Sequence, residues 1–257
     1  MNTGIKQVVG CVALIFLLTG CYITKSAQVP MPVVHHAVSN GQASGLIVLL
    51  PGYGDSPDIF EQRGMVDIIR RLAPTFDIVA ADAHFGYYRN LSIVDRLHTD
   101  VPGLGQNRYQ RVWMVGISMG GLGAAAYAME HPDVVERVFL LAPYMGEKDL
   151  ITEVETAGGL ARWEPPNISS IEDEEQRRFY QLWNWYKGYS QPNPMGPDLM
   201  LGFGSDDSLS QANQLLADVL PSEQVVRVPG GHKWKVWIPI FEVLLRQAVE
   251  DTDQGEA

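Results

Sequence analysis

Short apolar runs alternate along most of the chain with stretches in which apolar residues recur every three or four positions. The runs are almost continuously hydrophobic, which is typical of strands buried on both faces of a parallel sheet. We place strands at residues 45–50, 76–81, 112–115, 138–142, 199–203 and 225–228. The repeated order of strand and helix predicts an α/β protein with a doubly wound, mostly parallel sheet.

The stretches between these strands have the spacing of amphipathic helices. We expect helices at residues 59–72, 91–101, 119–131, 210–220 and 236–249. Strands and helices together define a globular domain over residues 45–250. The charged tail at residues 251–257 is expected to be frayed.

Residues 145–197 interrupt the alternation after the fourth predicted strand. This insertion is rich in aromatic residues at helical positions, among them Trp183. It follows the carboxyl end of a strand, the edge at which α/β proteins bind ligands, so it is a candidate lid or pocket wall. Ordinary core packing by the same aromatic residues explains the pattern equally well.

The first 21 residues have the composition of an export signal. Lys6 precedes an apolar run at residues 8–18, which is too short to span a bilayer comfortably, and Leu18-Thr-Gly-Cys21 closes the run. This ending resembles the lipobox of bacterial lipoproteins, which implies removal of residues 1–20 and lipidation of Cys21. A signal anchor that stays uncleaved is the alternative.

The lipobox resemblance implies a location in the bacterial cell envelope. Cys21 would attach the protein to a membrane, and Tyr22 after it favours the outer membrane. The other cysteine, Cys11, lies in the segment to be removed, so we expect neither a disulfide framework nor a cysteine nucleophile. Residues 21–44 are polar and contain prolines, which predicts a tether with at most one edge strand, near residues 31–37.

Composition narrows the range of partners. The formal net charge is −11, which argues against binding to nucleic acid. Hydrophobic residues make up 46% of the chain, enough for a sizeable core. His35 and His36 are adjacent, but successive side chains of an extended chain point to opposite sides, so we expect no metal site there.

A Gly-x-Ser-x-Gly motif lies between the third predicted strand and the helix that follows. Gly116-Ile-Ser118-Met-Gly120 has the pattern of a nucleophile elbow, in which a tight turn holds the serine in a strained conformation with its hydroxyl exposed. A side chain at either glycine would collide with the neighbouring strand or the turned backbone. Ser118 is therefore the candidate nucleophile.

A serine hydroxyl needs a base within hydrogen-bonding reach. His232 follows the last strand and two glycines, which allow the chain to turn and bring the imidazole over the sheet edge. His84 also follows a strand and is the rival, although a role in substrate binding or in the pocket wall suits it better. We assign His232 as the base.

The acid that orients the base is expected after the strand that precedes the last helix–strand unit. Asp206 and Asp207 are adjacent there, so we expect only one of them to face His232. We prefer Asp207, and the other carboxylate then meets solvent or caps the next helix. The resulting chain order, Ser, Asp, His, is that of α/β-hydrolases.

Two backbone N–H groups are candidates for an oxyanion hole. Met119 directly follows the nucleophile, and Tyr53 lies in the loop after the first long strand. Loss of one such donor typically costs about 3 kcal/mol of transition-state stabilisation, so this loop matters nearly as much as the three side chains.

From residue 46 to about residue 245 the chain resembles an α/β-hydrolase of the esterase type. Residues 116–124 resemble the nucleophile elbow of the esterase-D-like and enterobactin-esterase-like branch, and residues 229–234 resemble its histidine loop. The resemblance implies an α/β-hydrolase fold and hydrolysis of carboxylic ester or thioester bonds through an acyl-enzyme, with no metal and no cofactor. Leu50-Pro-Gly-Tyr53 stands where other branches have His-Gly-Gly-Gly, which disfavours bulky tertiary-alcohol and long-chain lipid substrates.

The sequence therefore predicts a serine esterase that acts on a small-molecule ester with a small or medium acyl group. His84, Trp183 and Trp234 are candidate residues of the substrate pocket. A thioesterase or an acyltransferase would use the same three catalytic side chains. A surface-anchored binding protein with a vestigial triad is the hypothesis from another class.

Overall fold

The computed structural model describes residues 25–39, 42–106 and 108–255 of the chain. The expected signal segment at residues 1–20 and the expected lipid-accepting Cys21 lie outside these ranges. Within them, seven strands form one sheet. The strands are β1 (Val33–His36), β2 (Gly45–Leu50), β3 (Phe76–Ala81), β4 (Arg111–Ile117), β5 (Arg137–Leu141), β6 (Asp198–Gly204) and β7 (Val225–Val228).

The sheet has the strand order β1-β3-β2-β4-β5-β6-β7. All neighbouring strands from β3 to β7 are parallel, whereas β1 pairs with β3 in the antiparallel sense. The chain runs from β2 outwards to β3 and then from β4 to the other side, so the order reverses between β2 and β4. The carboxyl ends of these two strands form a switch point, where open α/β sheets bind their ligands.

Helices flank the sheet. They are α1 (Ile59–Gln62), α2 (Met65–Leu72), α3 (Phe85–Arg89), α4 (Ile93–Asp100), α5 (Met119–Glu130), α6 (Lys148–Thr156), α7 (Glu174–Lys187), α8 (Ser210–Ala217) and α9 (Trp234–Gly255). Helix α2 packs against α9, while α5 packs against α4 and α7. The prediction of a doubly wound, mostly parallel sheet is confirmed. No helix in the described ranges is long and apolar enough to cross a membrane.

Three local differences from the expected helices have physical causes. The helix expected at residues 59–72 is broken at Gly64, whose positive φ of 76° ends one helix and starts the next. Helix α3 was not expected, because it is capped by a histidine: the backbone N–H of Gly86 donates to His84 Nδ1 at 3.1 Å. Helix α9 continues to Gly255, beyond the expected fraying point near residue 250.

Part of the expected tether is packed against the domain. We call residues 25–32 the docked segment; it leads into β1, the edge strand expected near residues 31–37. Lys25 forms an ion pair with Asp82, and the backbone N–H of Met31 donates to Asp100 at 2.9 Å. Residues 21–44 are therefore not a free linker throughout, because backbone and side-chain bonds to distant residues fix the docked segment.

Candidate active site

Ser118 lies on a tight turn between β4 and α5. Its backbone has φ 54° and ψ −115°, a conformation that non-glycine residues seldom adopt. The Ser118 N–H donates to the Leu141 carbonyl at 2.9 Å, and the Ser118 carbonyl accepts from the Tyr144 N–H at 2.9 Å. These bonds to β5 and the loop after it hold the strained residue in place.

The glycines of the motif have the steric role that the sequence predicted. A Cβ atom at Gly116 would lie closer than 3.0 Å to the Gly120 carbonyl. A Cβ atom at Gly120 would lie closer than 3.0 Å to the carbonyl of Leu50 on the adjacent strand. Both contacts are with backbone, which cannot move aside cheaply, so the turn requires glycine at both positions.

His232 lies after β7, on the loop that starts at Pro229. The sharp turn of this loop uses Gly230, whose φ is 139°. The turn brings His232 Nε2 to 2.9 Å from Ser118 Oγ. The imidazole and the ring of Trp237 also pack in a T-shaped arrangement, with 4.7 Å between ring centroids and an interplanar angle of 83°. Packing and hydrogen bonding together fix the orientation of the imidazole.

Asp207 lies just beyond β6 and has a fully buried side chain. Its Oδ2 is 2.8 Å from His232 Nδ1, and its Oδ1 accepts the Leu209 N–H at 2.9 Å. An ionised carboxylate can only accept hydrogen bonds, so His232 Nδ1 carries the proton. In the neutral imidazole, Nε2 is then the unprotonated nitrogen and accepts from the Ser118 hydroxyl.

The adjacent Asp206 has a different partner. Its Oδ2 accepts a hydrogen bond from the Gly230 N–H at 3.1 Å, and its own N–H donates to the Gly230 carbonyl at 2.9 Å. Asp206 thus ties the end of β6 to the histidine loop, a role that the sequence did not assign. Of the two carboxylates left open by the sequence, Asp207 is the one that faces His232.

The two segments that carry the predicted oxyanion donors both approach Ser118. Met119 is the first residue of α5, where a backbone N–H has no acceptor within the helix. The loop that carries Tyr53 approaches from β2, and a Cβ atom at Gly52 would lie 3.6 Å from Ser118 Cβ. The positive end of the α5 dipole also points towards Ser118.

A hydrogen bond joins the Tyr53 loop to the chain just beyond His232. Trp234 Nε1 donates to Asp55 Oδ2 at 3.1 Å, and the Asp55 N–H donates to the Gly52 carbonyl at 3.2 Å. Burial raises the pKa of Asp55, although the bond from Trp234 and the charge of Arg63 act in the opposite direction. The two loops that border Ser118 are therefore linked to each other.

An apolar groove of about 300 Å³ is lined at one end by Met119, the residue that follows Ser118. One wall is a face of α5 formed by residues spaced three or four apart: Met119, Leu122, Ala126 and Met129. Phe85 and Tyr88 of α3, Tyr144, and Phe179 and Leu182 of α7 form the other walls. Between Met119 and Met129 the helix rises by about 15 Å. The groove is therefore long enough to hold an extended alkyl chain.

None of the three candidate pocket residues lines this groove. Trp183 is completely buried, and its Nε1 donates to the Met145 carbonyl at 2.7 Å, so it belongs to the core. His84 is buried as the cap of α3, and burial lowers its pKa. Trp234 instead holds Asp55. The groove is lined by their neighbours, such as Phe85, and periodicity alone does not determine which side of an irregular segment faces a cavity.

The insertion at residues 145–197 combines the two roles that the sequence left open. Trp183 and Tyr186 of α7 pack in the core, Phe179 of the same helix lines the groove, and Leu182 does both. Helix α7 thus contributes to both the core and the groove wall. Across residues 25–39, 42–106 and 108–255, no cluster of three or more histidine, cysteine or acidic side chains could hold a metal ion.

Comparisons with known proteins agree on the fold. Residues 45–158 match the family model described as alpha/beta hydrolase fold. No curated protein matches the chain by sequence. The structure is similar to S-formylglutathione hydrolase from Staphylococcus aureus, with a TM-score of 0.56 and 14% identity over 82% of this chain and 83% of that chain.

Two further solved structures show the same likeness. Fluorophosphonate-binding serine hydrolase F from Staphylococcus aureus has a TM-score of 0.54 and 16% identity, over 86% of this chain and 99% of that one. Est1E from Butyrivibrio proteoclasticus has a TM-score of 0.54 and 14% identity, over 87% of this chain and 95% of that one. At these identities the likeness establishes the fold, which is that of the α/β-hydrolases.

Proposed function

We propose that this α/β-hydrolase fold carries a serine esterase with Ser118 as nucleophile, His232 as base and Asp207 as orienting acid. One observation carries the proposal. Ser118 sits strained at the start of α5 with its hydroxyl 2.9 Å from His232 Nε2, and a buried Asp207 lies 2.8 Å from the opposite ring nitrogen. A nucleophile, a base and a group that orients the base are the elements that hydroxyl activation requires.

The first half of the reaction forms an acyl-enzyme. Ser118 Oγ attacks the ester carbonyl carbon while its proton moves to His232 Nε2, and the carbonyl oxygen becomes an oxyanion. The N–H groups of Met119 and Tyr53 stabilise that charge. When the tetrahedral intermediate collapses, the carbon–oxygen bond to the alcohol breaks. The leaving alcohol takes the proton from His232, and Asp207 stabilises the imidazolium in between.

The second half of the reaction repeats these steps with water as the nucleophile. His232 Nε2 removes a proton from a water molecule, whose oxygen attacks the acyl carbon and gives a second tetrahedral intermediate. Collapse breaks the bond to Ser118 Oγ, and the proton on His232 returns to that oxygen. The products are a carboxylic acid and an alcohol, and the enzyme is regenerated without any external oxidant or reductant.

The groove supports an acyl group of medium length. It begins at Met119, next to the nucleophile, and its walls are apolar along α5. Its volume of about 300 Å³ is at the lower end of the range for small-molecule sites. Charged side chains lie at its far end, where Arg178 is 3.0 Å from Glu174 and 3.8 Å from Glu130.

The proposed location of the enzyme is the bacterial cell envelope, where a lipid on Cys21 would anchor it. The support is the pattern at residues 1–21, with a basic residue, a short apolar run and a lipobox-like ending. Mass spectrometry of the N-terminal peptide of the mature protein tests this point. Lipid attached to Cys21 is expected, and an unmodified Cys21 would contradict the anchor.

Hydrolysis of a short p-nitrophenyl ester by a Ser118→Ala variant tests the assignment of the nucleophile. We expect turnover to fall on the order of 10⁴-fold or more, with the circular dichroism spectrum and melting temperature unchanged. Ser208→Ala is the matched control, since Ser208 is an exposed serine one residue beyond Asp207. Wild-type turnover by the Ser118→Ala variant would refute the assignment.

A further inference from the structure

The docked segment lies at the same edge of the sheet as Ser118 and His232. Strand β1 runs antiparallel to β3, and Val33 pairs with Ala81, the last residue of β3. The residues before Val33 therefore lie beyond the carboxyl end of β3. Because the strands from β3 to β7 are parallel, this is the edge that carries the proposed catalytic residues. We call it the catalytic edge.

Several bonds hold the docked segment there. Lys25 pairs with Asp82, which directly follows β3. The hydroxyl of the buried Tyr87 accepts from the Gln28 N–H at 3.1 Å and donates to the Gln28 carbonyl at 3.0 Å. The side chain of Met31 is part of the core. The chain is thus fixed at the catalytic edge as far back as Lys25.

The proposed anchor is only four residue steps before Lys25. A fully extended chain covers about 14 Å in four steps, so a lipid on Cys21 cannot lie far from this edge. The Lys25 carbonyl also packs directly against Gly86 of α3, where a Cβ atom would lie closer than 3.0 Å to it. The preceding residue, Phe85, lines the apolar groove. The start of the docked segment and the groove thus contact the same helix, α3.

Exposed apolar side chains add to this relationship. Val29 of the docked segment is 72% exposed, and Tyr53 of the proposed oxyanion loop is 49% exposed. The ring of Tyr53 contacts Phe85, with 5.5 Å between centroids, so its exposed face continues into the groove lining. Aromatic side chains with a polar tip are favoured at the boundary between lipid and water.

We propose that the lipid anchor holds the catalytic edge against the membrane in which it is inserted, and that the substrate is an ester with a medium-length acyl group, taken from that lipid surface. The short connection orients the enzyme as well as retaining it. The acyl chain passes from the lipid surface beside Tyr53 and Phe85 into the groove, with its carbonyl at Ser118. The proposal rests on the esterase activity and the anchor proposed above.

Fluorescent labels on single introduced cysteines test the orientation. The full lipoprotein is reconstituted into phosphatidylcholine vesicles that contain a lipid-borne quencher, and Val29→Cys is compared with Met195→Cys. Met195 is 96% exposed and precedes the start of β6, at the opposite edge of the sheet. We expect several-fold stronger quenching at position 29. Equal quenching at the two positions, or stronger quenching at position 195, would overturn the proposal.

A longer tether tests the functional consequence. Inserting about 20 Gly/Ser residues between Cys21 and Lys25 gives a flexible link with a root-mean-square span of about 25 Å, which retains the protein but does not orient it. Turnover of an acyl ester embedded in the vesicles is expected to fall several-fold, with turnover of a soluble p-nitrophenyl ester unchanged. Undiminished turnover of the embedded ester would contradict the proposal.

The two proposals fail in different ways. If the wild-type protein does not hydrolyse the soluble ester, the esterase assignment fails, and the labels still report the orientation. If it hydrolyses the soluble ester but the label at position 29 is not preferentially quenched, the orientation alone is wrong. Absence of lipid on Cys21 likewise overturns the orientation and leaves the esterase assignment intact.

Discussion

The Gly230 N–H donates a hydrogen bond to Asp206 Oδ2 at 3.1 Å, while the very next carboxylate, that of Asp207, faces His232 at 2.8 Å. Two adjacent acids thus hold the same loop in two ways. Asp206 fixes the backbone of the loop, and Asp207 fixes the imidazole at its end. The two positions therefore make a matched pair for mutagenesis.

Asparagine at each position is expected to give very different activities. Asp207→Asn presents an amide donor or a neutral acceptor to His232 Nδ1, which disturbs the tautomer and removes the stabilisation of the imidazolium. We predict a loss in kcat on the order of 10⁴-fold. Asp206→Asn keeps an oxygen that can accept from the Gly230 N–H, so a loss of no more than a few-fold is expected. Steady-state kinetics with a p-nitrophenyl ester measure both values, and similar losses in the two variants would refute this division of roles.

A methyl group at Gly120 is expected to destabilise the fold as well as the site. Its Cβ would be forced against the Leu50 carbonyl, and overpacking of this kind typically costs about 1–3 kcal/mol. Gly188→Ala is the control, because a Cβ at Gly188 meets no atom within 4 Å. Chemical denaturation measures the free energy of unfolding. Equal stabilities for Gly120→Ala and Gly188→Ala would show that the close approach is not as tight as described.

A large side chain at position 126 is expected to restrict the enzyme to esters with short acyl chains. Ala126 lines the groove beyond Leu122, so an indole there would block the distal part and leave the part beside Ser118 open. For Ala126→Trp we predict near-normal kcat/KM with p-nitrophenyl acetate and at least a ten-fold loss with p-nitrophenyl octanoate. The acetate value is the internal control for folding. A parallel loss with both esters, or none with octanoate, would mean that the acyl chain binds elsewhere.

Ionisation of Asp55 is expected to cost stability at neutral pH. Burial raises the pKa of Asp55 in the folded state, so folding favours the protonated form. Its contribution to the free energy of unfolding therefore falls as pH rises from the unfolded-state pKa through the raised folded-state value. Asp55→Asn removes this cost and keeps an oxygen that can accept from Trp234 Nε1.

Thermal unfolding of Asp55→Asn as a function of pH measures the effect. We expect a melting temperature above that of the wild type at neutral pH, with the difference shrinking as pH falls below the ordinary carboxyl range. A variant that is less stable than the wild type at neutral pH would show that the charge of Asp55, attracted by that of Arg63, stabilises the fold instead.

The sheet and the convergence of the three proposed catalytic side chains could be predicted from the sequence, because both depend on local patterns. Continuous apolar runs are determined by burial on both faces, and parallel strands bring their carboxyl ends to one edge. Ser118, Asp207 and His232 each follow such a strand, so sequence position alone brings them together. The role of the glycines around Ser118 could be predicted equally well, because it is steric and local.

Other features depend on contacts that no local pattern contains. Trp183 and Phe179 lie four residues apart on α7, yet one enters the core and the other the groove. The docked segment is polar and contains prolines, and it is fixed by Asp82, Tyr87 and Asp100, which are distant in sequence. Asp206 and Asp207 are the same residue type, and only the path of the histidine loop distinguishes their partners.

Covalent labelling with a fluorophosphonate probe is the most direct test of the central claim that Ser118 is an activated nucleophile. The wild-type protein, His232→Ala and Asp207→Asn would be treated in parallel and digested, and the adduct located by peptide mass spectrometry. The account predicts an adduct on Ser118 in the wild type, with labelling greatly slowed in both variants. Folded wild-type protein that takes up no label, or takes it up at another residue, would contradict the account.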